Sequence, residues 1–328
     1  MAKFVYPDKL LHELFREQAE RTPTRIAIID PGVEPSDYRQ MAYSVLQAQS
    51  DTLSLWLRHT GVGEGKIVPI YMERCLEFAL CYVSILKAGG AYLPLEIGYP
   101  SDMMRRVIVE VEAIVTLTMP AAAGALPDEA ARFEMSDGWL QRATLTGAQT
   151  AALPPITTGM DSMAYCVYSS GTTGVPKGII CPHRGSVFSY SHRMYASPYA
   201  ADGSDKEAVN VFFVWEMFRP LLGGASLVVI PDSVICKRRW HGPEREAGIS
   251  NALWQRGLLQ QQRCCSSSDL PSPLPAWKTA AEQSAAVPLP LVFSPSHWCL
   301  ALWSDSLRAL CMPQMTRRPL PASSPSTA

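Results

Sequence analysis

The run Ser169-Ser170-Gly171-Thr172-Thr173-Gly174-Val175-Pro176-Lys177-Gly178 holds four hydroxyl side chains, three glycines and one lysine in ten residues. Glycine admits positive φ and lets the backbone come close to an anion. Hydroxyls and backbone N–H groups donate to phosphate oxygens, and a lysine adds a mobile positive charge. An apolar run, Met163–Tyr168, leads straight into this stretch. A strand followed by such a loop points to phosphate binding rather than to an ordinary turn. A Walker-type loop is excluded: counted from Gly171, the glycine required before the lysine is Pro176, and the Ser/Thr required after it is Gly178.

Further segments sit around this loop. Leu14–Ile28 reads LFREQAERTPTRIAI, Leu86–Arg106 begins LKAGGAYLPLE, Pro182–Val187 reads PHRGSV, and Phe213–Asp232 reads FVWEMFRPLLGGASLVVIPD. Together with the loop, which fits the pattern [ST]-S-G-[ST]-T-G-x-P-K-G at every position, they resemble the adenylate-forming (AMP-binding) superfamily. That group includes acyl-CoA synthetases and the adenylation domains of nonribosomal peptide synthetases. The resemblance runs over roughly residues 8–235 and stops there. It implies an α/β fold, the N-terminal part of that superfamily's large domain, with mostly parallel sheets and flanking helices. It implies activation of a carboxylic acid by ATP with Mg2+ to an acyl-adenylate and pyrophosphate. Coenzyme A or a carrier-protein phosphopantetheine would then accept the acyl group. By the same resemblance Thr172, Thr173 and Ser170 donate to phosphate, Lys177 stands on the pyrophosphate side, Gly171 and Gly174 give clearance, and Ser169 and Gly178 complete the nucleotide-binding set. Thr172, Thr173 and Lys177 are the candidate catalytic groups, because charge that develops on phosphate oxygens is offset by such donors.

One position departs from the pattern. Amino-acid-activating members carry F-D-x-S-V-W-E, whose aspartate pairs with the substrate ammonium. Aligned on Val214-Trp215-Glu216, the aspartate position is Val211, with Phe212 and Trp215 beside it. A buried cation without a partner is costly, so this pocket predicts an acid lacking an α-amino group: aryl, keto, hydroxy, fatty or β-amino. A shifted alignment would instead make Val211 and Phe212 plain core residues. Glu216 reads as a polar structural residue. His183 reads as a positioned residue near the loop, His192 and Arg193 as an exposed helix face, and Cys166 and Cys181 as packing cysteines.

The elements that would carry these groups alternate. Leu10, Leu11, Leu14, Phe15 and Ala19 have helical spacing, with Asp8 as the expected N-cap and Thr22-Pro23 as the stop. Strands are expected at 25–30, 66–72, 91–96, 113–118 and 163–168. Helices are expected from Asp37 to Gly61, over EFALCYVSILK before Gly89-Gly90, and from Pro100 to Val107. Residues 119–160, rich in Ala, Gly, Pro and Thr, read as a surface excursion with one short helix.

The chain changes character near Cys236. All 12 tyrosines precede it, whereas five of eight tryptophans and five of nine cysteines, Cys236 included, lie from there on. From 236 on, ten Lys+Arg against five Asp+Glu give +5, against −6 before, which sums to the net −1. Strand formers there are one isoleucine and two valines. Residues 236–328 therefore read as a low-order tail. It is either a disordered natural extension or the product of a changed frame or splice choice, the second favoured by its Cys and Trp. No Y-G-P-T-E-like, Y-R-T-G-D-like or late P-x-x-x-x-G-K segment occurs. The expectation is a truncated member without its C-terminal lid subdomain, inactive or impaired, or else a non-catalytic binder of a nucleotide or partner. The near-zero net charge gives no pull toward nucleic acid. There is no membrane-length apolar run, no secretory leader pattern and no CxxC, which reads as a reduced, cytoplasmic protein.

Overall fold

In the computed structural model the described residues are 4–169, 177–209 and 217–231. They belong to one compact unit, Met1–Ser267. The tail from residue 236 lies outside them.

The first helix, α1 (Leu11–Arg21), buries Leu11, Phe15, Gln18 and Ala19 along one stripe. It starts three residues later than the sequence suggests. Glu13 Oε2 accepts the Leu10 N–H at 2.8 Å and takes over the capping role, while the side chain of Asp8 is 84% exposed. Strand β1 (Ile26–Asp30) follows as expected. The helix expected from Asp37 is shorter. Pro35–Asp37 form a 3-10 turn and Arg39–Ala42 a strand, β2, before α2 begins at Tyr43 and runs to His59. The reason is tertiary. In the antiparallel β1–β2 pair Arg39 lies opposite Asp30. Its guanidinium donates to Asp30 Oδ2 at 2.7 Å and to both oxygens of Glu77 at 2.6 and 2.8 Å. An extended backbone lets Arg39 reach both carboxylates, and that overrides local periodicity.

Strand β3 (Ile67–Tyr71) leads to α3 (Leu76–Lys87), then β4 (Ala91–Pro94). Every residue of α3 except Glu77 is buried. It packs on α2, β1, β2, β3 and β4, which explains a helix apolar on all sides. It stops where Gly89 turns left-handed. Lys87, the lysine of the LKAGG segment, is buried in this layer. Its ammonium donates to Asp51 Oδ1 and Ser50 Oγ, each at 2.8 Å, and burial lowers its pKa to about 8. That lysine is structural.

Next come α4 (Ser101–Glu110) and β5 (Thr116–Thr118). The region 119–160 is more ordered than its composition suggests. It contains α5 (Pro120–Ala123), β6 (Arg132–Glu134), α6 (Trp139–Ala143) and α7 (Gly147–Ala151). A three-residue strand shows no period, but Phe133 is buried against Trp56 with ring centroids 4.2 Å apart. The remaining elements are β7 (Met163–Ser169), β8 (Lys177–Pro182), α8 (His183–Ala196), β9 (Lys206–Val209), α9 (Phe218–Gly223) and β10 (Ser226–Val229).

Among the described residues the strands form two sheets, one ordered β2-β1-β10-β9 and one ordered β6-β5-β3-β4-β7-β8. All pairings are parallel except β1–β2 and β7–β8. This is the mostly parallel α/β architecture expected, with helix-covered, strongly apolar strands.

Tyr43 ties the N-terminal elements to the last ones. Its buried hydroxyl donates toward Ala225 O (2.8 Å) and Pro220 O (3.2 Å), at the turn between α9 and β10. We predict that Tyr43→Phe lowers stability to unfolding by about 1 kcal/mol, the loss of one buried hydrogen bond to Ala225 O, since Pro220 O keeps the Ala225 N–H. Urea denaturation of the two proteins measures it, and an unchanged midpoint would contradict it.

A candidate phosphate hairpin and its supports

The candidate phosphate loop is the connection of an antiparallel hairpin. β7 and β8 pair in register from Cys166↔Ile180 through Tyr168↔Gly178 to Ser169↔Lys177. The loop therefore leaves the sheet at the carboxyl end of β7, where open α/β sheets characteristically present ligands. Ser170, Gly171, Thr172, Thr173 and Gly174 lie outside the described residues. Of the predicted set the structure places the Ser169 backbone, Lys177 and Gly178, all at the hairpin mouth, and Lys177 and Gly178 are exposed.

Gly178 is closely approached by side chains of β7. A Cβ there would lie 3.3 Å from Tyr168 Cζ and 3.4 Å from Cys166 Sγ. The Tyr168 ring thus lies across the first residues of β8. Its phenol is hydrogen-bonded with Glu110 of α4, and burial followed by the Glu110 charge raises its pKa. A cavity of about 280 Å³ between α4 and β7 is lined by Arg106, Glu110 and Tyr168 among others. Cys166 is a packing residue, as expected: it is 2% exposed, and burial pushes its thiol up to about 12.

Past the hairpin the first turn of α8 is held from two sides. The His183 and Arg184 N–H groups donate to Ser162 O (3.2 Å) and Met160 O (2.8 Å). Arg184 donates to both oxygens of Asp161 at 2.7 and 3.0 Å. His183 is fully buried, and its Nδ1 accepts the Leu11 N–H at 3.4 Å. Its ring centroid lies 5.9 Å from that of His12. This is the positioned residue expected from the sequence. The expectation for His192 and Arg193 is corrected: both are half-buried. The His192 ring meets Phe4 edge-on at 5.2 Å and stacks on Phe188 at 6.3 Å.

The predicted acid-pocket residues Val211, Phe212 and Trp215, with Glu216, lie outside the described residues. The structure shows what brackets them. β9 precedes this segment and α9 follows it. Arg219 of α9 forms an ion pair with Glu207 of β9, and its Nε also donates to Tyr199 Oη at 3.1 Å. The Tyr199 ring needs Gly223, where a Cβ would come within 2.2 Å of it. Sequence reasoning missed this pair, because 12 residues separate Glu207 from Arg219 and neither belongs to a phosphate pattern. Tyr92 of β4 has its ring centroid 3.9 Å from Tyr82, 5.5 Å from Tyr165 and 6.4 Å from Phe218. Tyr165 is in the strand that feeds the phosphate loop. Phe218 is in the helix that follows the pocket segment.

Fold and hairpin define a doubly layered α/β protein with a glycine- and hydroxyl-rich loop at a strand end. The family model of AMP-binding enzymes matches residues 15–244, and the chain belongs to that family. Glycine betaine reductase ATRR of Emericella nidulans is 33% identical over 225 residues, covering 68% of this chain and 17% of that protein. Tyrocidine synthase 3 of Brevibacillus parabrevis is 35% identical over 237 residues, covering 70% of this chain and 4% of that protein. A crystal structure of the nonribosomal peptide synthetase FmoA3 (S1046A) superposes with a TM-score of 0.60 at 27% identity, over 79% of this chain and 25% of that one. The chain thus spans less than a fifth of the length of these two curated relatives. Among the described residues no helix is long and apolar enough to cross a membrane.

The histidine pair makes stability pH-dependent. Burial lowers His12 from 6.5 to about 3, with His183, Lys87 and Arg16 adding to the effect, and burial lowers His183 from 6.5 to about 4. Below pH 6.5 the unfolded chain takes up protons that these native rings refuse, so stability is full above that pH and falls on acidification toward the native values. The predicted loss is roughly 2 kcal/mol per ring by about pH 5, read as a lower urea midpoint. His12→Gln should flatten the profile, and a profile unchanged by that variant would refute the assignment.

Proposed function

We propose that this region activates a carboxylic acid with ATP. A carboxylate oxygen bonds to the α-phosphorus while the bond to the pyrophosphate oxygen breaks, which yields an acyl-adenylate and pyrophosphate. The hairpin is the observation that carries the reading. The antiparallel β7–β8 pair flanks the stretch on both sides, the sequence puts four hydroxyls, three glycines and Lys177 into residues 169–178, and membership of the AMP-binding family supports a phosphate-binding chemistry for them. Thr172, Thr173, Ser169 and Ser170 are proposed to donate to phosphate oxygens, with Lys177 offsetting charge on the departing pyrophosphate. Such fixed donors supply much of the barrier lowering in phosphate chemistry. Gly178 fits this role, because its bare Cα lets Tyr168 close over the start of β8. Among the described residues no cluster of three or more His, Cys, Asp or Glu could hold a metal ion. Mg2+ is accordingly proposed to arrive with the nucleotide's phosphates.

The acid is proposed to lack an α-amino group (aryl, keto, hydroxy, fatty or β-amino), since Val211 stands where a carboxylate would pair with it. A carrier-protein phosphopantetheine or coenzyme A is the proposed acyl acceptor. These 328 residues contain no segment resembling Y-G-P-T-E or Y-R-T-G-D. The proposal for the chain by itself is therefore nucleotide binding through the hairpin without sustained turnover.

Equilibrium dialysis with ATP and pyrophosphate exchange over an acid panel test both parts. Lys177→Ala should weaken ATP binding about tenfold, the loss of one charge-assisted contact. Acid-dependent exchange by the unaltered chain should match that of the variant. Unchanged affinity in Lys177→Ala would overturn the phosphate assignment, brisk exchange the proposal of no turnover, and preference for α-amino acids the pocket reading.

A further inference from the structure

β8 is an edge strand with β7 as its one partner among the described residues. One of its ends is the candidate phosphate loop. The other is Pro182, which has no N–H to give, followed by His183. What holds that second end decides where Lys177 and Gly178 stand. Part of the grip comes from the chain's N-terminal arm, although it lies far away in sequence. Phe4 packs on Phe188 (5.8 Å), His192 (5.2 Å) and Tyr195 (5.5 Å), and Tyr6 meets Phe188 edge-on at 5.3 Å. Asp8 lies 3.8 Å from Arg184.

At the centre of this contact the Leu11 N–H donates to His183 Nδ1, a buried bond between residues 172 apart. Leu11 opens α1, so its amide is one of the four that a helix cannot satisfy internally. With Nδ1 accepting, the neutral ring keeps its proton on Nε2, which is buried and has no partner among the described residues. Simple packing would be served by a leucine or phenylalanine of similar volume. The imidazole differs from these in one useful respect: it places an acceptor against an otherwise orphaned buried amide.

We propose that His183 is a positioning residue for the phosphate hairpin. By accepting the Leu11 N–H it anchors the end of β8 to the first turn of α1. It thereby fixes the return strand that carries Lys177. It touches no reacting atom. This assignment concerns the order of the hairpin and stands independently of the nucleotide chemistry proposed above.

Hydrogen–deuterium exchange on the full 328-residue chain tests it. The proteins compared are the unaltered chain, His183→Leu, His183→Asn and a distant core control, Leu57→Ala in α2. Asparagine presents an acceptor where Nδ1 stands, and leucine presents none. His183→Leu should speed exchange of amides 177–181 relative to β3 by about tenfold, one lost buried hydrogen bond. His183→Asn should stay within about twofold of the unaltered chain by the same reasoning. Leu57→Ala should lower the melting temperature without changing the ratio. Equal exchange in the Asn and Leu variants would overturn the proposal, as would a ratio raised equally by Leu57→Ala. Should His183→Leu not fold, His183→Gln replaces it, with its acceptor one bond further out. Faster exchange in Gln than in Asn supports the anchor, and equal exchange overturns it.

Discussion

The ring of Tyr92 is the constraint on which the arrangement depends. It projects from a strand flanked by β3 and β7 and is fully buried. On one side it stacks on Tyr165, five residues before Ser170, the first residue outside the described hairpin strand, and on another it reaches Phe218 at the start of α9. The candidate phosphate loop thus starts, and the candidate pocket segment finishes, on elements that share one aromatic contact. The arrangement has a cost. The hydroxyls of Tyr82 and Tyr92 are buried without hydrogen-bond partners among the described residues, on the order of 1–3 kcal/mol each. Ring burial and offset stacking offset that cost. A core that keeps such groups holds its rings in one arrangement, since shifting any of them breaks contacts on several elements at once.

Around that joint the molecule divides its labour. The parallel strands and the all-buried helix α3 supply rigidity. The one antiparallel pair in the larger sheet, β7–β8, supplies a return path for a loop rich in donors. Polar clamps sit at the ends of both candidate segments. Arg184–Asp161 and His183–Leu11 lie after the phosphate hairpin, and Glu207–Arg219 bridges the two sides of the pocket segment. The clamps at Glu207 and His183 are buried or half-buried, where a polar contact contributes more than it would in water. Ligand-gripping groups on a loop gain precision when the loop's two ends cannot move, and this fold fixes both ends of the loop.

The order of strands and helices was largely legible in the sequence, because the apolar runs Ile67–Tyr71 and Leu76–Lys87 are sharply bounded, the second by Gly89-Gly90, and Leu11, Phe15 and Ala19 recur at helical spacing. The family was legible for a different reason, since the residue pattern of the loop fits the AMP-binding motif at every position. What stayed hidden depends on distant partners. β2 reads as the start of a helix until Arg39 is seen to need Asp30 and Glu77. β6 is three residues long and exists because Phe133 finds Trp56. The anchor between Leu11 and His183 leaves no local trace, because its halves lie 172 residues apart. The sequence placed Gly178 in the nucleotide-binding set, and the structure adds a local feature, the ring of Tyr168 close to it.

The central claim is that the hairpin mouth at Ser169 and Lys177 receives a nucleotide's phosphates. Covalent mapping tests it most directly. The chain is treated with an acyl-phosphate derivative of ATP, which acylates a lysine held beside the phosphates, and then digested and read by mass spectrometry. The account predicts a label on Lys177 that excess ATP suppresses. A label spread over surface lysines and indifferent to ATP, or an ATP-protected label at some other lysine, would contradict it.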